Sequence, residues 1–146
     1  DSGPLTDATA YRENIFALTQ QAEDAVLRPV DCGLWPTDLR AALAARLAAR
    51  MGLAFVAERY LTRVTGSNAV IADPTQDGAD LGLAAVVAFM DKVAMEAHAV
   101  TAADIAGLQG AGISDADIVR LCELNAFLAY QFRLIAGLRL LSGATT

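Results

Sequence analysis

The segment that most constrains the fold runs from Thr37 to Val64, TDLRAALAARLAARMGLAFVAERYLTRV. On both sides of Gly52 its apolar residues recur at three- and four-residue intervals, which is the spacing of one helix face. Thr37 follows a proline and is a candidate N-cap, and a glycine between two such patterns favours a break. The segment therefore predicts two helices that meet near Gly52.

The first of these helices combines small side chains with arginines. Its small residues cover one broad side and would let another helix approach closely: Ala41, Ala42, Ala44, Ala45, Ala48 and Ala49. Arg46 and Arg50 lie one turn apart on the leucine side, and a buried guanidinium needs a carboxylate partner. We expect such partners within the chain or in a neighbouring subunit, the candidates being Asp91, Glu96 and Glu123. The alternative is that the two arginines bind an anionic substrate.

The second helix presents an apolar stripe that includes Leu53, Val56 and Tyr60. Tyr60 therefore points inward, where its hydroxyl needs a hydrogen-bonding partner. It is either a core tyrosine or a proton donor in a pocket. His98, the only histidine, falls at the end of a later predicted helix, where an imidazolium would interact with the terminal carbonyls. Its alternative role is that of a general base.

The rest of the chain shows only helical patterns, joined by short irregular segments. Pro29 ends a first helix, and the connector after it carries the only tryptophan, Trp35, which we expect to fold onto the core. Further helices are predicted from Leu81 to His98, after the T/S-x-x-D capping motifs at Thr101 and Ser114, and through a last long helix over Asp115–Leu141. No strand-like alternation is present. The patterns predict one all-α domain of about six helices over residues 1–146.

The high apolar content of the chain predicts that it assembles with other subunits. Apolar residues make up 55% of the chain and charged residues 19%, against typical values of roughly 45–50% and about 25%. A small monomer would have difficulty burying so much apolar surface. We therefore expect an obligate homo-oligomer, with the alanine surface of Thr37–Met51 or the last helix in the contact.

Charge and cysteine content exclude several classes of function. A net charge of −6 argues against a nucleic-acid partner, because phosphate binding needs clustered basic residues. The longest apolar run, Leu81–Met90, is about half of a membrane span. Cys32 and Cys122 lie far apart, which is neither a disulfide framework nor a metal site. We expect a cytoplasmic protein without membrane, metal or cofactor.

The stretch FMDKVAMEAHAVTAADIAGLQGAGISDADIV, followed by LNAFLAYQFRLIAGL, resembles the peroxidase-related branch of the alkylhydroperoxidase D / carboxymuconolactone decarboxylase superfamily. The similarity covers about a third of the chain and rests on these residues: Phe89, Lys92, Thr101, Asp104, Ile105, Leu108, Gly112, Ser114, Asp115 and Arg133. It implies an all-helical fold that assembles as dimers, trimers or hexamers.

The sequence departs from that family at the reactive positions. Members with peroxidase activity carry a glutamate, then Cys-x-x-Cys, then a histidine. Here the cysteine positions hold Leu53 and Val56, the histidine position holds Tyr60, and the glutamate position falls near Ala41. Thiol peroxidase chemistry needs a thiolate nucleophile and a second thiol that resolves the sulfenic acid. We therefore expect no peroxide-reducing turnover.

The favoured interpretation is a non-redox member of the superfamily that acts as a structural or regulatory subunit, beside further copies or a related cysteine-containing subunit. A second hypothesis is a cofactor-free lyase that acts on a small carboxylate. Arg46, Arg50 or Arg133 would then bind the anion, and Tyr60 or His98 would move a proton.

A weaker third hypothesis uses Cys32 or Cys122 as a lone peroxidatic thiol, although Cys122 is predicted to lie on an apolar face, where thiols are usually inert. The first two hypotheses differ in what they require of the paired helices. An enclosed pocket between Arg46, Arg50 and Tyr60 would favour the lyase. A filled core at that place would favour the structural subunit.

Overall fold

The computed structural model describes the backbone of residues 4–143, and the side chains of residues 14, 15 and 17–143. Within this part of the chain the regular structure is helical and contains no strand, which confirms the predicted all-α domain. The α-helices are α1 Pro4–Leu27, α2 Thr37–Arg50, α3 Ala54–Leu61, α4 Ala84–Met95, α5 Ala102–Gly110 and α6 Asp115–Leu141. Short 3₁₀ segments cover Gly66–Ala72, Ala79–Leu81 and Ala97–Ala99.

Helix α2 lies at the centre of the fold. Every residue from Leu39 to Ala48 is buried, because α1, α3, α4, α6 and the segment Gly66–Ala72 all contact this helix. A helix that is covered on all sides needs no polar face. The alanine surface is therefore inside the domain, so the expectation that it forms a subunit contact is wrong. Of the two predicted contact surfaces, only the last helix remains.

The turn between α2 and α3 is a Schellman motif. Gly52 adopts a φ of 75°, its N–H donates to the carbonyl of Ala49 at 3.0 Å, and the N–H of Leu53 donates to Ala48 at 2.9 Å. A left-handed residue after a helix is usually glycine, because a Cβ is unfavourable there. The predicted break at Gly52 is confirmed.

Two predicted helix boundaries differ from the structure. Thr37 is the first helical residue rather than the N-cap, since Pro36 occupies the cap position and offers no side-chain hydrogen bond. Helix α4 begins only at Ala84, because Gly82 is left-handed with a φ of 70°, and it ends at Met95. His98 consequently lies in the following 3₁₀ segment and does not cap an α-helix.

The connector between α1 and α2 is fixed against the start of α6. Trp35 is buried, and its Nε1–H donates to the carbonyl of Asp117 at 2.8 Å, which confirms that this tryptophan packs on the core. The N–H of Leu34 donates to Asp117 Oδ1 at 3.1 Å. The sequence did not indicate a role for Arg40, which is buried. Its guanidinium donates to the carbonyls of Cys32 and Trp35 in the connector and of Val26 at the end of α1.

Candidate functional site

The helix that would carry the family's dithiol carries part of the hydrophobic core instead. Leu53, Val56 and Tyr60 are all buried, with Tyr60 exposing 0% of its surface. They belong to the same core cluster as Leu43 and Leu47 of α2. The α2–α3 pair is therefore filled by apolar packing around Leu53, Val56 and Tyr60.

The hydroxyl of Tyr60 is hydrogen-bonded inside this core. It donates to Gln131 Oε1 of α6. The sequence predicted that this hydroxyl needs a buried partner, and the structure identifies the partner as Gln131. Burial raises the pKa of Tyr60 to about 12, and the nearby Glu23 carboxylate adds to the effect. A phenol with so high a pKa is poorly matched to proton transfer near neutral pH. The environment favours a core tyrosine over a pocket acid.

A buried carboxylate, Glu23 of α1, accompanies Tyr60. It is only 2% exposed and accepts from Arg63 Nη1 at 2.7 Å, from Arg59 Nη2 at 3.2 Å and from Gln131 Nε2 at 3.1 Å. We call Glu23, Arg59, Tyr60, Arg63 and Gln131 the Glu23 network. It joins α1, α3 and α6 through polar contacts within a mainly apolar interface.

Sequence reasoning missed Glu23 and Gln131, although a signal was present. Gln131 lies three residues after Leu128 and four after Phe127, so it is a polar residue in a predicted apolar stripe. Burial of such a residue requires a hydrogen-bonding partner. Its partners lie 71 and 108 residues away along the chain, which is why periodicity could not identify them.

Arg46 holds an irregular segment against α2. Its Nε and Nη2 donate to the two carboxylate oxygens of Asp91, each at 2.8 Å, which confirms the predicted ion pair. The guanidinium also donates to four backbone carbonyls of the segment after α3: Ile71, Asp73, Pro74 and Gln76. Arg46 is 3% exposed, so its donors are engaged within the protein rather than presented to a substrate.

Of the other candidate site residues, Arg50 lies beside Arg46, whereas Arg133 and His98 lie elsewhere. Arg50 Nη1 is 3.5 Å from Asp91 Oδ2, a longer and more exposed ion pair than that of Arg46. Arg133 is exposed on α6 and lines a small cleft. His98 is exposed beyond α4. The structure thus brings Arg46 and Arg50 together on Asp91 and engages Tyr60 in the separate Glu23 network.

The two cysteines do not form a disulfide. Cys122 and Cys32 are both free. Cys122 is exposed on α6, so the expectation that it is an inert thiol covered by apolar neighbours is wrong. Partial burial nevertheless raises the pKa of its thiol, and Glu123 adds to this effect. A raised pKa disfavours the thiolate that reacts with peroxide.

Neither a metal centre nor a membrane segment is found in the part of the chain that the structure describes. There, no three His, Cys, Asp or Glu side chains converge as metal ligands would. Among the helix residues described, no stretch combines the length and the apolar character that crossing a bilayer requires.

Comparison with known proteins identifies no relative of this chain. No family model, no curated protein and no solved structure matches this chain. The superfamily resemblance consequently depends on the residues quoted above, from Phe89 to Arg133.

Proposed function

We propose that this chain is a non-redox member of the alkylhydroperoxidase D / carboxymuconolactone decarboxylase superfamily and serves as a structural or regulatory subunit of an oligomer. The observation that carries the proposal is the filled α2–α3 pair. Leu53, Val56 and Tyr60 are core residues there, and Tyr60 has no exposed surface that a substrate could reach. The guanidinium of Arg46 is occupied by Asp91 and by backbone carbonyls.

An exposed face of α6 supports the assembly. Its residues recur at three- and four-residue intervals on the solvent side of the helix: Val119, Cys122, Ala126 and Tyr130. Val119 is 54% exposed and Tyr130 49%. Exposed apolar side chains aligned along one helix face favour a protein contact. We propose this α6 face as the surface that meets another copy of the chain or a related cysteine-containing subunit.

The assembly predicts a specific response to a charge placed on the α6 face. We expect wild type to elute as a dimer or larger in size-exclusion chromatography with light scattering at micromolar concentration. Ala126→Arg should shift the mass to that of a monomer, because a guanidinium would be desolvated in the contact. Ala103→Arg, at an exposed alanine of α5, is the matched control and should leave the mass unchanged. A monomeric wild type would contradict the assembly.

The non-redox assignment predicts the absence of peroxide turnover. In a dithiol-coupled peroxide assay we expect wild type, Cys32→Ser and Cys122→Ser all to remain at the blank rate, since neither thiol has a resolving cysteine nearby in the sequence. Turnover in wild type that one serine substitution removes would instead establish a lone peroxidatic cysteine.

A further inference from the structure

A small cleft opens where the end of α2, the end of α4 and the middle of α6 meet, and its volume is about 60 Å³. Its walls are mainly apolar, formed by Leu47, Met51, Ala94, Leu128, Ala129 and Phe132. Two polar residues, Asn125 and Arg133, complete the lining. Since one water needs roughly 10–15 Å³ of such space, the cleft has room for about four to six waters or a ligand of similar size.

Asn125 offers an unused acceptor to this cleft. The residue is only 2% exposed, and its Nδ2 donates to the carbonyl of Met90 at 2.9 Å. A carbonyl can only accept, so this contact fixes the orientation of the amide. Among the described residues no hydrogen-bond donor contacts Oδ1. Every fully buried side-chain nitrogen or oxygen in that part of the chain has a hydrogen-bonding partner, so Oδ1 is not fully buried. Oδ1 therefore keeps some accessible surface, which we assign to the cleft that Asn125 lines.

Arg133 contributes a positive charge to the lining of the cleft. It follows Asn125 by eight residues on α6, which corresponds to about 12 Å along the helix axis, a separation that its long side chain can shorten. Within the described part of the chain no carboxylate lies within ion-pairing distance of Arg133, whereas Arg46, Arg50 and Arg63 are each paired. An uncompensated guanidinium beside apolar walls favours an anionic ligand.

We propose that this cleft binds a short hydroxycarboxylate. Its hydroxyl would donate to Asn125 Oδ1, its carboxylate would pair with Arg133, and its methylene groups would contact Leu128 and Phe132. A mostly apolar cavity with a few convergent polar groups is the usual form of a small-molecule site. The inference goes beyond the proposed assembly role, and the cleft shares Leu47 with the core of the α2–α3 pair.

The test is a titration of the purified full chain followed by ¹H–¹⁵N NMR, with 3-hydroxypropionate as the probe. We expect saturable binding, weakened by about tenfold for butyrate, which replaces the hydroxyl by a methyl group, and similarly for 1,3-propanediol, which lacks the charge. Arg133→Gln should weaken binding by at least about tenfold. Arg139→Gln is the matched control, because the guanidinium carbon of Arg139 lies 4.6 Å from the centroid of the Phe55 ring. We expect this variant to bind the probe with an affinity within about twofold of wild type.

A second variant tests the acceptor. Asn125→Leu should bind 3-hydroxypropionate and butyrate with equal affinity, because the preference for a hydroxyl depends on Oδ1. Absence of saturable binding to wild type would overturn the proposal. So would equal effects of Arg133→Gln and Arg139→Gln, or butyrate binding to wild type as tightly as 3-hydroxypropionate.

Discussion

Replacing Arg46 with methionine is expected to lower the free energy of unfolding by about 3–5 kcal/mol, because it removes one partner of a largely buried ion pair. Asp91 would lose both of its 2.8 Å hydrogen bonds from Arg46. The carbonyls of Ile71, Asp73 and Gln76 would lose the donor that holds their segment against α2. The melting temperature should fall by about 10 °C or more, and urea denaturation gives the free energy directly.

Arg50→Met is the matched control, since Arg50 contacts the same carboxylate. Its distance to Asp91 is 3.5 Å and its side chain is 34% exposed, so we expect a loss of at most about 1 kcal/mol. Both variants are compared with wild type at one protein concentration, because assembly would make stability depend on concentration. Equally small losses of unfolding free energy in both variants would show that the buried ion pair of Arg46 contributes little to stability.

Removal of both cations from the Glu23 network is the second large effect. In Arg59→Met/Arg63→Met the Glu23 carboxylate stays buried with Gln131 as its remaining donor. An unpaired buried charge is expected to cost about 3–5 kcal/mol near neutral pH. Glu23→Gln in the same background should recover part of that loss, because the neutral amide needs no counter-charge.

The free energy difference between this double variant and wild type is measured by urea denaturation near neutral pH. A small difference would show that water or another donor compensates the buried Glu23 carboxylate.

The sequence by itself determined the elements of the fold. Helix periodicity, the glycine at position 52 and the capping motif at Thr101 each depend on residues within one or two turns, and the structure contains each of the corresponding features. The same local reasoning predicted that Trp35 and Tyr60 point inward and that Arg46 pairs with an acidic group. A large or charged side chain on an apolar face has few alternatives, so its burial and its need for a partner follow from its position.

Only the tertiary structure decided which faces and partners meet. Helix α6 is apolar on several sides, so periodicity could not show that Cys122 is exposed while Gln131 is buried. The alanine side of α2 could face another subunit or its own domain, and the packing of four helices around it selected the domain. Glu23 meets Arg63 and Gln131 across 40 and 108 residues. Such contacts arise from the arrangement of whole helices, which no local pattern along the chain encodes.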